Sequence, residues 1–209
     1  MGREADADRL GAVYAAESAD EVARTYDAWA ATYDAEMAAL GYRHPSICLA
    51  LLARHLPPGG PVLDAGAGTG LVGEWLKLLG YGPVEGVDLS PGMLAVAAGK
   101  GAYDRLEQGD LTARLPFETA RFAGCVCAGV FTTGHVGAEG LDELIRVLRP
   151  GGVLVLTVKD RTWAEGFAAR LDDLEREGRI ARLDGTPSYS SMPGRPDNAP
   201  SRVVVLRRL

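Results

Sequence analysis

The chain has 209 residues, with 22 Lys and Arg against 28 Asp and Glu and a formal charge of −6, so it offers no basic footprint for nucleic acid phosphates. No apolar run approaches the roughly 18 residues that a bilayer-spanning helix needs. A composition 47% hydrophobic and 24% charged is that of a globular chain with one core, expected to work without a nucleic acid or membrane partner.

The start, Met1 to Asp8, is charged and Ala-rich and has no apolar leader, so the expected location is cytoplasmic. Three cysteines make no disulfide framework, and Cys125 and Cys127, two apart on a strand, read as small buried thiols. The three histidines, His44, His55 and His135, are scattered singly, and no metal site is expected.

In chain order, residues 1–17 read as a flexible N-terminus, 18–56 as a helical cap and 57–209 as the core of what is one domain overall. Val22, Tyr26, Trp29, Tyr33, Met37 and Leu40 recur at three- and four-residue steps, which puts them on one helical face. Ser18 and Glu21 form a capping-box pattern at its start, and Gly41 stands where a left-handed residue ends a helix. A shorter helix is expected from Ser46 to His55, stopped by Pro57-Pro58-Gly59-Gly60.

From Pro61 the pattern changes to short apolar runs alternating with helical stretches, the signature of a parallel sheet wrapped by helices. The runs are Pro61 to Asp64, Pro83 to Asp88, Asp104 to Gln108, Phe122 to Gly129 and Gly152 to Val158. Helices are expected near Leu71 to Leu79, Pro91 to Gly99, Gly140 to Leu148 and Thr162 to Glu177. The run 153–158 is apolar without alternation, as a central strand covered on both faces should be. Arg149-Pro150-Gly151-Gly152 should end a helix and turn the chain into it. After Gly178 the chain is rich in Pro, Gly and Ser, and the stretch Gly185 to Ser201 reads either as a substrate-facing loop or as a long hairpin connection. Arg202 to Leu206 reads as the closing strand.

The most informative stretch is Val62-Leu63-Asp64-Ala65-Gly66-Ala67-Gly68-Thr69-Gly70-Leu71, a strand running into alternating glycines and then a helix. Missing Cβ atoms let the backbone approach a ligand closely, and the helix N-terminus should offer N–H donors. The dinucleotide fingerprint wants Gly or Ala where Leu71 stands, and the Gly-Lys-Ser/Thr of a Walker loop is absent. Asp88, which ends the second strand run roughly 20 residues beyond the loop, can accept hydrogen bonds from both hydroxyls of an unmodified ribose. Asp110, ending the third, can accept one from an exocyclic adenine amine. Leu89, Met93 and Leu111 can pack on the base. All these loops open on the carboxyl edge of a parallel sheet and so converge there, pointing to an adenosine-like ligand.

These residues resemble the class I S-adenosylmethionine-dependent methyltransferases, whose first motif, an acid, any residue, then Gly-x-Gly-x-Gly, matches Asp64 to Gly70. Asp88-Leu89-Ser90-Pro91-Gly92-Met93-Leu94 and Leu148-Arg149-Pro150-Gly151-Gly152 resemble later elements of that family, and Tyr26-Asp27-Ala28-Trp29-Ala30-Ala31-Thr32-Tyr33-Asp34 a segment folded over the cofactor. The resemblance implies an α/β, Rossmann-like fold with a seven-stranded, mostly parallel sheet of order 3-2-1-4-5-7-6, helices on both faces and an N-terminal helical cap. It implies S-adenosylmethionine as cofactor, S-adenosylhomocysteine as product, and Tyr26, Tyr33, Asp64, Gly66, Ala67, Gly68, Thr69, Gly70, Asp88, Leu89, Met93, Asp110, Leu111 and Ala128 as cofactor-binding residues. The expected reaction is in-line methyl transfer to an O, N or C nucleophile of a small-molecule acceptor. The alternatives are a non-catalytic S-adenosylmethionine-binding protein and an NAD-type oxidoreductase, against which Leu71 speaks. Where nucleic acid amine methyltransferases of this class carry Asn or Asp, Pro-Pro and an aromatic, this chain has Ala128-Gly129-Val130-Phe131, which disfavours that activity. His135, after the fourth strand, is the candidate general base, since an imidazole titrates near neutral pH.

Overall fold

The computed structural model describes residues 9–13, 16, 18–132, 136–196 and 198–209. Of the N-terminal 17 residues, 9–13 are helical, and Leu10 and Val13 are buried in a cluster with Trp29, Met37 and Met192. Helix α1 (Ala19–Ala39) starts where Ser18 Oγ accepts the Glu21 amide at 3.3 Å and ends at Gly41, φ +68°. Its aromatic stripe turns inward, with Trp29 stacked on Tyr26 and edge-on to Tyr33. Helix α2 (His44–His55) begins two residues earlier than the sequence suggests, because Pro45 has no amide hydrogen to lose and fits the first turn.

The sheet is built from β1 (Val62–Ala65), β2 (Val84–Asp88), β3 (Arg105–Gln108), β4 (Phe122–Phe131), β5 (Leu148–Lys159), β6 (Ile180–Gly185) and β7 (Ser201–Arg208). Its order is β3-β2-β1-β4-β5-β7-β6, and β7 runs antiparallel to both neighbours. Helices α3 (Leu71–Leu78), α4 (Pro91–Gly99), α5 (Gly140–Val147) and α6 (Ala168–Arg176) connect the strands. Leu52, Leu76 and Cys48 of α2 and α3 pack on Val62, Val126, Val155 and Val205 from one face. Leu141, Leu144 and Leu171 of α5 and α6 pack on Leu63, Cys125, Leu154 and Leu156 from the other. Central strands in such a sandwich are apolar on both faces, and residues 152–159 of β5 are buried throughout.

Three expectations are revised. Strand β6 was not evident, since Arg182, Asp184 and Gly185 break its apolar pattern; the strand lies at the sheet's edge, where one side of the ladder needs no partner. Strand β5 already starts at Leu148, which pairs with Phe122 of β4, and the ladder resumes at Val153 after a register shift, so residues 149–152 bulge within the strand instead of preceding it. The expected helix from Thr162 to Glu177 is split: a π-helical turn (Trp163–Phe167) holds Gly166 at φ +128° before α6 begins. Among the described residues no helix is long and apolar enough to cross a membrane.

Candidate cofactor cleft

The carboxyl ends of β1, β2, β3 and β4 meet under α1 and enclose a cleft. Ten of the residues singled out from sequence line it: Tyr26, Tyr33, Gly66, Gly68, Asp88, Leu89, Met93, Asp110, Leu111 and Ala128. Gly66 and Gly68 lie at φ +75° and +53°. A Cβ on Gly66 would stand 2.3 Å from Val130 Cγ2, whereas one on Gly68 would meet nothing within 4 Å. The first glycine therefore lets β4 close on the loop, and the second leaves a cradle open.

Four named residues stand behind this surface instead of on it. Asp64 is 1% exposed and takes the Tyr103 hydroxyl at 2.7 Å. Burial pushes its carboxyl up to about 7, against the Tyr103 hydrogen bond and with help from the nearby Asp88 charge. The Tyr103 ring fills a slot walled by Gly70, Gly73 and Gly86; a Cβ on Gly73 would lie 2.2 Å from Tyr103 Cζ. Ala67 is buried, Gly70 abuts Ala97 and Tyr103, and the buried Thr69 donates its hydroxyl to Asp34 of α1. The loop amides are also spoken for. Gly66 and Ala67 donate to the Val87 carbonyl at 2.8 and 3.0 Å, Gly70 to Ala67 at 2.9 Å, and Gly68 to Asp88 Oδ2 at 2.8 Å. The glycines therefore serve close approach of the backbone, and their own amides hold the loop together.

Asp88 is half-buried at the cleft wall, its Oδ1 accepting the Ser90 amide at 2.9 Å. Burial raises its pKa, opposed by the amides of Ser90, Gly68 and Leu89. The helix-capping role belongs to Ser90, whose Oγ takes the Met93 amide at 3.0 Å at the start of α4. Asp110 Oδ1 accepts the Thr112 amide and hydroxyl at 2.8 and 2.7 Å, which holds the loop after β3.

Helix α1 is fastened over the cleft by carboxylates. Asp27 Oδ1 accepts the Gly92 amide at 2.7 Å and the Ser90 hydroxyl at 2.5 Å. Gly92 permits the contact, because a Cβ there would lie 2.8 Å from Asp27 Oδ1. Asp34 Oδ2 pairs with Lys100 at 2.7 Å. Beyond α1, Tyr42 lines the cleft, and its hydroxyl would be 2.4 Å from a Cβ on Gly129. Neither Tyr42 nor Gly129 was singled out from sequence. Tyr42 lies past the helical stripe, and the reason for Gly129, at φ +83°, exists only once the α1–α2 turn meets β4. Behind Tyr42, His44 is 3% exposed and its Nδ1 lies 2.7 Å from the Tyr189 hydroxyl. Burial first, then the Lys159 charge, lowers its pKa to about 3, so the ring is neutral. His135 lies outside the described residues.

The segment between β6 and β7 folds back on the cap: the Arg43 amide donates to the Ser191 carbonyl at 2.9 Å and Gly194 to Leu40 at 3.1 Å. It is therefore more than a hairpin connection, joining the last two strands to the α1–α2 turn.

A family model described as a methyltransferase domain matches residues 63–156. Methyltransferase-like protein 27 of Homo sapiens is 36% identical over 171 residues, covering 78% of this chain and 69% of that protein. A ribosomal protein L11 methyltransferase of Thermus thermophilus is 43% identical over 121 residues, 55% of this chain and 45% of its own length. A demethylmenaquinone methyltransferase of Deinococcus radiodurans is 39% identical over 100 residues, covering 46% of this chain and 41% of that protein. Among solved structures, a TehB-like methyltransferase from Corynebacterium glutamicum superposes with a TM-score of 0.65 at 23% identity, over 89% of this chain and all of that one, a likeness that speaks for the fold. Sheet order, glycine loop and matched family together make this chain a member of the class I S-adenosylmethionine-dependent methyltransferases.

Proposed function

We propose that the chain transfers the methyl group of S-adenosylmethionine to a small-molecule acceptor, with the cofactor in the cleft beneath α1. The observation that carries the reading is Asp88, a half-buried carboxylate at the end of β2 facing a cleft whose open cradle is Gly68. Asp88 accepts the ribose hydroxyls; Leu89, Met93 and Leu111 sandwich the base; Asp110 takes its amine; Gly66 and Gly68 admit the amino acid end; Ala128 walls the middle and Tyr26 and Tyr33 cover it. Asp64, Ala67, Thr69 and Gly70 shape the loop from beneath. S-adenosylmethionine supplies a methyl already activated by its sulfonium.

The chain's own contribution is to hold the acceptor close and aligned and to keep water away, which can supply several kcal/mol of the barrier reduction. For an acceptor that must lose a proton, His135 is the candidate base. A small acceptor is favoured because α1 and the α1–α2 turn partly roof the cleft, narrowing it relative to an open platform for a polymer, and because the net charge of −6 suits nucleic acid poorly. The relatives named for ribosomal protein L11 and for demethylmenaquinone set the two outcomes of the test. Incubation with methyl-tritiated S-adenosylmethionine and separated metabolite, protein and RNA fractions of a cell extract should label metabolites. Label confined to protein or RNA would overturn the acceptor assignment.

A further inference from the structure

The outer side of α3 breaks the rule that a surface helix turns polar residues to water. Val72 and Leu76 are buried in the core beside α2. Leu71, Trp75 and Leu78 recur at steps of four and three on the outward side, and Leu79 follows at the helix end. Trp75, Leu78 and Leu79 are 55%, 76% and 44% exposed, three of the four large apolar side chains that the described residues leave exposed. Exposure clustered in this way marks a contact surface, whereas scattered exposure would not.

The cluster borders a groove of about 410 Å³ between α3, the end of α1 and the start of α2, within the roughly 300–1,000 Å³ of small-molecule sites. Met37, Leu49, Leu71, Trp75 and Leu79 line it, and among the described residues no charged one does. Tyr42 lines this groove and the cofactor cleft alike. A Schellman turn sets it there: the Gly41 amide donates to the Ala38 carbonyl and the Tyr42 amide to the Met37 carbonyl, each at 3.0 Å. The backbone is thus pinned, while the ring packs against the cluster that holds Met37 and its hydroxyl approaches Gly129 near the end of β4. A ligand too long for the cleft therefore has an apolar space on the far side of the Tyr42 wall.

We propose that this groove holds the hydrocarbon chain of the methyl acceptor, a lipophilic small molecule whose head lies in the cleft beside Gly129 and whose chain runs past Tyr42 to Trp75. This inference rests on the methyltransferase reading of the cleft and adds the class of acceptor. Rotation of the Tyr42 side chain admits the ligand while the turn that carries it stays in place. Burial of the chain together with the exposed faces of Trp75 and Leu79 drives binding, and the gain grows with each methylene removed from water.

The test is calorimetric titration of the full chain, saturated with S-adenosylhomocysteine, with p-ethylphenol, p-butylphenol and p-hexylphenol. One molecule should bind per chain, with affinity rising roughly two- to fourfold for each added methylene. Trp75→Ser strips the groove of its largest apolar wall, and Ala38→Trp fills it; both positions are exposed, so the fold should stand. Each variant should flatten the dependence on chain length and leave affinity for S-adenosylhomocysteine unchanged. Amide resonances should report where the probes sit: p-hexylphenol should shift Gly129, Val130, Ala38 and Trp75, and p-ethylphenol only the first two. No binding of p-hexylphenol, affinity independent of chain length, the same length dependence in both variants, or shifts confined to α3 would overturn the proposal. So would concentration-dependent dimerisation of the parent that Trp75→Ser abolishes, which would assign the face to a second copy of the chain. Failure to bind S-adenosylhomocysteine would instead sink the reading of the cleft.

Discussion

At the scale of single residues, the signature acid of the glycine loop is the most instructive. Asp64 carries the motif but points beneath the loop, where Tyr103 and the slot left by Gly73 hold it. Its identity was legible in the sequence; its burial was not, because the tyrosine that fixes it comes from the segment before β3. The folded carboxyl keeps its proton up to about pH 7, against an ordinary value of 3.8. Between those values the unfolded chain has released a proton that the folded chain retains, so this group makes stability fall as pH rises. Asp64→Asn, neutral throughout, should flatten the decline in Tm between about pH 4 and pH 7 and be relatively more stable at the upper end. An unaltered slope would show that Asp64 ionises normally in the fold.

At the scale of elements, α1 is a strap fixed to the core by two of its own aspartates. Its helical period and N-cap could be read directly, since both are local. Its attachment could not, because Asp27 meets Gly92 only after α4 is in place. The same distinction explains the misread parts. The edge strand β6 lacks an apolar run because one side of it borders no neighbour. Gly166 interrupts a helix whose buried positions, Phe167, Leu171 and Leu174, keep helical spacing on its far side. Asp27→Ala should remove a partner of the α4 N-terminus at a cost of about 1 kcal/mol. It should also speed amide exchange along residues 19–39 relative to the sheet. Equal protection in variant and parent would mean that the aromatic stripe alone holds the strap.

At the scale of the whole molecule, the sheet brings loops far apart in sequence to one edge, as parallel α/β topology dictates. The glycine loop and the acids at the ends of β2 and β3 were recoverable from motif and spacing, and the strand order from the family resemblance those residues carry. The far end of the cleft was not, since Tyr42 and Gly129 come together only where the α1–α2 turn meets β4. The central claim is that this edge grips S-adenosylmethionine through Asp88. Calorimetric titration of the parent and of Asp88→Ala with S-adenosylmethionine tests it most directly. The account predicts one-to-one binding by the parent and, from two lost hydrogen bonds of about 1–2 kcal/mol each, at least tenfold weaker binding by the variant. No binding by the parent, or equal affinity in both, would contradict it.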